Sequence, residues 1–327
     1  YGSGSLTISS NDNTIVAKGN GSYSPALAYY IGNQAGSTGS MTIYNSSLGG
    51  TQTFWVGNYG NGSLLITGSL SNVSLVSTNT SSRDLNIGVG GGSTGVVTVS
   101  DGARLGGRIA IALYGTGSMV IDGGHVTMST NSALANGGPG YLTLNSGSLQ
   151  YVGGSDGHDI LRLGNGSSGR AYVTFSGGTA EIDGTLEVGS ITGCYGILTV
   201  INTMDYVSIG TLSTNTTGTG DMTFVLDINH AAKATAIVEV DVVALGTRGV
   251  HTVSFENLTG EVDEIYLLLE AQQDITQATK NVDWKLAGID EENYTAEIYW
   301  DGNKLYAHVW GSDVPEPSAA ATTRGRA

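Results

Sequence analysis

The feature that most constrains this chain is a short unit that keeps returning: a glycine, a small residue, then apolar–x–apolar. It reads SLTI after Gly4, SMTI after Gly39, SLLI after Gly62, VVTV after Gly95, SMVI after Gly117, YLTL after Gly140, ILTV after Gly196 and DMTF after Gly220. A further copy, RAYVTF after Gly169, carries two extra residues. The anchor glycines stand 22 to 35 residues apart. Side chains alternate faces along a strand, so the two apolar positions share one face. Those pairs are Leu6/Ile8, Met41/Ile43, Leu64/Ile66, Val97/Val99, Met119/Ile121, Leu142/Leu144, Val173/Phe175, Leu198/Val200 and Met222/Phe224. The residue between them is Thr in seven of the nine copies, a β-branched polar side chain suited to the wet face of a strand.

Two other strand-like pieces recur between anchors. One ends apolar–Gly, at Ile31-Gly32, Val56-Gly57, Ile87-Gly88, Leu163-Gly164, Val188-Gly189 and Ile209-Gly210. The other follows a turn, as in HVTM after Gly124, SLQYV after Gly147 and TAEI after Gly178. Three short strands and three glycine turns per repeat describe one coil of a right-handed parallel β-solenoid, here expected over residues 1–220. An antiparallel sandwich also supplies strands and turns, but it does not explain one unit returning on one face. No 3.6-residue period with helix caps is found there, which disfavours a parallel sheet joined by helices. Nine rungs at about 4.8 Å each give a rod about 40 Å long. The two longest spacings imply loop insertions at 9–38 and 67–94.

Residues 221–311 read differently. Glycine thins out after Gly220, with 7 of the 51, while 18 of the 28 acidic residues fall there. Strand-like runs at 222–228, 236–244, 251–256, 264–269, 282–286, 294–300 and 304–310, and a hairpin signal at Asp301-Gly302-Asn303, predict a smaller antiparallel β module. A short helix is expected over 272–280. Open sheet edges need covering, so this module would cap the C-terminal end, while the N-terminal edge at Leu6 and Ile8 would stay open. Residues 312–327 form a tail.

The charge excludes partners as well. A net charge of −15, with only 13 Lys and Arg, speaks against nucleic acid and anionic membrane surfaces. No run of about 18 apolar residues is present to span a bilayer. The chain starts at Tyr1 directly before the repeat, which reads as a mature form whose leader has been removed. One cysteine, Cys194, leaves no intrachain disulfide and is expected as a small buried side chain.

Little in the sequence carries chemistry. His125, His158, His230, His251 and His308 show no metal spacing and are expected on strand or loop surfaces. Asp156 and Asp159, in a glycine-rich loop, are weak candidates for Ca²⁺ through their oxygens. With Arg162, Arg170, Glu181, Asp183 and Glu187 they make the only concentration resembling a polysaccharide lyase or hydrolase face. Tyr23, Tyr29, Tyr30, Tyr44, Phe54, Trp55 and Tyr59 cluster near the N-terminal end, as loop packing or as a glycan or partner surface.

The stretch Val314-Pro315-Glu316-Pro317-Ser318 resembles the sorting motif of the PEP-CTERM family of exported bacterial proteins, and Arg324 and Arg326 resemble its basic end. The family's apolar helix between them is missing. The repeat region separately resembles the β-helical passengers of autotransporters. These resemblances imply export across a Gram-negative-type envelope, an exosortase-type processing enzyme as partner, and an extracellular or outer-surface location. The expected function is a non-catalytic structural protein of the cell surface or matrix. It would assemble head to tail into filaments, its edge at Leu6 and Ile8 receiving the C-terminal module or the tail around Val314 of the next copy. No cofactor is expected. The alternative is a β-helix that binds or degrades polysaccharide, with cell-surface glycans as partners.

Overall fold

The computed structural model describes residues 3–9, 14–17, 28–50, 53–75, 83–153, 160–214, 218–230 and 235–311. It is a parallel β-solenoid with three ladders. The first runs from Ser3–Ser9 through Thr38–Tyr44, Asn61–Thr67, Thr94–Ser100 and the leading halves of Thr116–Ser129 and Pro139–Val152. It continues through Arg170–Phe175, Tyr195–Ile201, Thr219–Asp227 and His251–Glu256 to Trp284–Ala287. All pairs are parallel. Eleven rungs at about 4.8 Å make this ladder about 48 Å tall. The second ladder starts at Thr14–Ala17 and ends on the last residues of Asp263–Ala271, while the third starts at Ala28–Ile31 and ends within Val238–Ala244.

The register explains the repeat. Leu6, Met41, Leu64, Val97, Met119, Leu142, Val173, Leu198 and Met222 form one inward column, and Ile8 through Phe224 form the next. All are buried except Leu6, which is exposed, and Ile8, which is half-buried. Thr7 stands on the outer face, and in the same column Thr42, Thr98, Thr143, Thr174, Thr199 and Thr223 are half-buried on it. The glycines are required because each coil closes tightly on itself. Gly57 ends its coil at φ +70°, and a Cβ there would lie 2.3 Å from the Thr94 carbonyl oxygen. A Cβ on Gly95 would in turn meet the Val56 carbonyl oxygen at 2.2 Å and the Gly88 nitrogen at 2.5 Å.

Three expectations are corrected. The anchor of the irregular copy is Ala171, not Gly169, because register follows the apolar pair: Val173 and Phe175 sit on Leu142 and Leu144, which puts Ala171 on Gly140. Ile209-Gly210 does not end a coil. Gly210 lies inside Tyr206–Thr214, between residues of the second ladder and residues of the third. Parallel pairing also does not stop where the composition shifts near 220; it runs on to Trp284–Ala287. Among the described residues antiparallel pairing is confined to Asp263–Ala271, Lys304–Gly311 and Tyr294–Asp301. A strand's apolar alternation is the same whichever direction its partner runs, so composition alone could not place this change. The expected helix is one turn, Gln277–Lys280, capped by the Thr276 hydroxyl oxygen, which accepts from the Thr279 N–H. Within the two expected insertions, 10–13, 18–27 and 76–82 lie outside the described residues.

Candidate assembly edges and polar grooves

The two ends of the first ladder differ from its middle. At the N-terminal end, Ser3–Ser9 is the first rung and Leu6 is 53 % exposed, although its column is otherwise core. A groove of about 510 Å³ opens beside it, lined by Leu6, Tyr29, Ile31 and Met41 with the backbone of Gly32 and Gly39. Burying one such leucine is worth about 2 kcal/mol, so this edge carries a standing incentive to be covered. Unpaired backbone N–H and C=O groups on an edge strand add to that incentive.

The N-terminal aromatics divide between core and surface. Phe54 is core, and Tyr29 stacks on it with ring centres 4.6 Å apart. Tyr30 tilts over Trp55 at 5.9 Å on the outside of the third ladder, and Tyr44 and Tyr59 are exposed elsewhere. Tyr23 lies outside the described residues.

At the other end a hairpin, Tyr294–Asp301 with Lys304–Gly311, pairs onto Asp263–Ala271 and turns Ala296, Ile298 and Trp300 against the core. It therefore caps the second ladder and stands two strands beyond Asp263–Ala271. The first ladder ends instead on the four-residue strand Trp284–Ala287, where Leu286 is 41 % exposed. Leu286 occupies the same inward column as Ile8, and Trp284 the same column as Leu6. A groove of about 480 Å³ lies beside it, lined by Leu286, Ala287, Gly288, Ile289, Tyr294 and Ala296.

The polar cluster is only partly brought together. Arg162 Nε donates to Glu187 Oε2 at 3.2 Å, these being partners on neighbouring rungs of the third ladder. Glu181 and Arg170 are exposed. Asp183 lines a wide polar groove of about 640 Å³ with Thr185, Ser208, Thr211, Asp241 and Gln273. Asp156 and Asp159 lie outside the described residues, as do Val314, Pro315, Glu316 and Pro317. Among the described residues no group of three His, Cys, Asp or Glu stands close enough to hold a metal ion, and no helix is long and apolar enough to cross a membrane.

Two histidines expected on the surface are buried. His251 takes a core position in the Met222 column, fully buried, with its ring 5.3 Å from Trp284. Its Nε2 lies 3.1 Å from the Gly246 carbonyl oxygen, which can only accept, so Nε2 carries the proton and the unpartnered Nδ1 is a bare acceptor. Burial pushes its pKa below the usual histidine range. The alternation His251-Thr252-Val253 was the available signal, since it repeats the apolar–Thr–apolar pattern of the anchors. His308 is buried between carboxylates, 2.7 Å from Asp263 and 3.8 Å from Glu297 on the two flanking strands. Cys194 is buried as expected; burial pushes its thiol pKa up, and the Ile191 N–H donates to its sulfur.

Comparison of the chain with protein-family models, with curated proteins and with solved structures gave no match.

Proposed function

We propose that this protein is an exported structural rod that adds end to end into filaments at a bacterial surface or in its matrix. The observation that carries the reading is the pair of incomplete ends of the first ladder: Leu6 and Leu286 occupy core columns yet stand exposed. The occupant of the N-terminal edge is a second copy of the same chain. Its Trp284–Ala287 strand would meet Ser3–Ser9 so that Trp284 follows Leu6 and Leu286 follows Ile8, extending both inward columns.

Charge favours this unlike pairing over a like one. Residues 28–75 contain no Asp, Glu, Lys or Arg, whereas 263–301 holds ten Asp and Glu against two Lys. Two C-terminal ends would repel, while a neutral end tolerates an acidic one. Because the hairpin stands on the second ladder, the contact runs through Trp284–Ala287 at the end of the first. Such a heterologous contact makes open filaments when its rotation does not close a ring.

Sedimentation of L6D and L286D tests this. The wild type should form concentration-dependent polymers and each variant alone should remain monomeric. A mixture should yield dimers only, because L6D keeps an intact C-terminal end and L286D an intact N-terminal one. A monomeric wild type, or a mixture that stays monomeric, contradicts the reading. Removal of residues 312–327 separates this contact from a tail-donated one: polymers survive the deletion if the terminal strand makes the contact.

A second reading rests on the groove around Asp183 and Asp241. Its hydroxyl-, amide- and carboxylate-bearing lining suits polysaccharide hydroxyls. Binding of neutral and acidic glycans that D183N and D241N abolish would favour it.

A further inference from the structure

Where the chain turns from the second ladder into the third, successive coils stack Asp84, Arg108, Asn131 and Ile160 one above another. In a sequence with 13 cationic residues, three of the arginines gather here. Arg108 is fully engaged by Asp84: Nη2 donates to Oδ1 at 2.8 Å, Nε to Oδ2 at 3.3 Å, and the Arg108 backbone N–H to Oδ2 at 2.8 Å. Arg83 is placed differently. Its Nε donates to the Asn131 carbonyl oxygen at 3.1 Å, and no carboxylate among the described residues pairs with it. Burial, and after it the charge of Arg108, lowers its pKa. Arg162 approaches from three coils further on and spends its Nε on Glu187.

Arg83 and Arg162 line one small polar pocket of about 70 Å³, together with Asn131, Ser132 and Asn165. Ser132 Oγ is already occupied, donating to the Ser129 carbonyl oxygen and accepting from the Ile109 N–H. The Asn165 amide donates to Asn136 Oδ1. Donor capacity at this pocket therefore resides in the two guanidinium groups, whose planar forks match oxyanions, and in the Asn131 amide. Among the described residues Arg83 has no carboxylate partner, in a chain whose overall charge is strongly negative. A half-buried cation with no counter-charge is costly, and an anion arriving there would remove that cost.

We propose that Arg83 and Arg162 form a binding site for a single oxyanionic group, a carboxylate or a sulfate, supplied by an acidic saccharide or by the free ion. The volume admits the anionic group but not a sugar ring, so the remainder of a saccharide would lie outside on the third-ladder face. The site is independent of the end-to-end contact, since it lies on the side of the rod.

The test is calorimetric titration of the full chain at constant ionic strength with sodium sulfate, sodium acetate and a glucuronate-containing oligosaccharide, with melting curves alongside. Saturable binding is expected, with sulfate raising the wild-type Tm. Arg83→Gln and Arg162→Gln should each weaken binding at least about tenfold, the loss expected when one guanidinium contact to an anion is removed. Arg104→Gln, an exposed cation away from the pocket, should leave binding unchanged. Arg162→Gln keeps the test valid if Arg83→Gln fails to fold. An oligosaccharide much tighter than acetate identifies the saccharide as the source; equal affinities identify the group alone. No saturable binding in the wild type, or binding indifferent to both substitutions, overturns the site. So does binding that emerges only in Asp156→Asn/Asp159→Asn, because a carboxylate of this chain would then already fill the pocket.

Discussion

Adding one methyl group to the anchor column tests the coil geometry at its tightest point. At Gly95 a Cβ would lie 2.2 Å from the Val56 carbonyl oxygen and 2.5 Å from the Gly88 nitrogen, and both obstacles are backbone that no rotamer change can move. At Gly140, one of the same column, the nearest atom is the Ala135 nitrogen at 3.0 Å, and the next rung already carries Ala171. G95A should therefore cost about 3 kcal/mol, the upper end of ordinary over-packing. G140A should cost less than about 1 kcal/mol, because the entropy removed from the unfolded chain offsets part of the strain. Urea unfolding measures the totals. Each coil touches only its neighbours, so hydrogen exchange should locate the G95A damage in Thr53–Val56, Leu85–Ile87 and Thr94–Ser100. Equal losses for the two variants, or damage spread evenly over the rod, would refute the reasoning.

Three further outcomes follow from buried polar groups. His251 is neutral in the fold and titrates more easily when unfolded, so stability should be full above about pH 6.5 and decline as pH falls from there toward its depressed folded value. H251L should abolish that decline and gain about 1 kcal/mol at pH 7 by removing the unpartnered Nδ1, measured by urea unfolding at several pH values. D84A should destabilise the rod by about 3 kcal/mol, because it leaves the Arg108 guanidinium in place without its carboxylate. Cys194 should resist a thiol reagent in the native protein and react with one equivalent in urea, since burial both shields it and raises its pKa.

Much of the fold was legible because a parallel stack copies its own pattern. The column from Met41 to Met222 repeats one residue class at one spacing, and the Thr column marks the outward face beside it. Legibility failed where the copy tolerates exceptions. Ala171 holds an anchor position that glycine holds on the rungs either side of it, Gly140 and Gly196. His251 and Trp284 extend a core column without being aliphatic, since an imidazole with one hydrogen bond can pack at a tilt of 42° against an indole. The parallel ladders pass 220 because they need the alternation, which persists, rather than the glycine turns, which become rarer.

The candidate sites were less legible. Leu6 and Ile8 are legible as the first apolar pair of the repeat, and Leu6 is exposed. The matching exposure of Leu286 has no sequence signal, because apolar alternation reads the same in a parallel strand as in an antiparallel one. Arg83 carried no motif at all: it reaches the Arg162 pocket across coils, and 79 residues of sequence separate the two arginines. Loop arginines of this kind are brought together by stacking, which leaves no local signature.

The most direct measurement is electron microscopy of the purified chain at rising concentration, with helical reconstruction of any fibre. The end-to-end reading predicts unbranched filaments of one subunit's width with an axial rise of about 50 Å, close to the height of eleven rungs, and strands stacked about 4.8 Å apart along the axis. Monodisperse single rods at every concentration, or fibres in which Leu6 faces solvent, would contradict it.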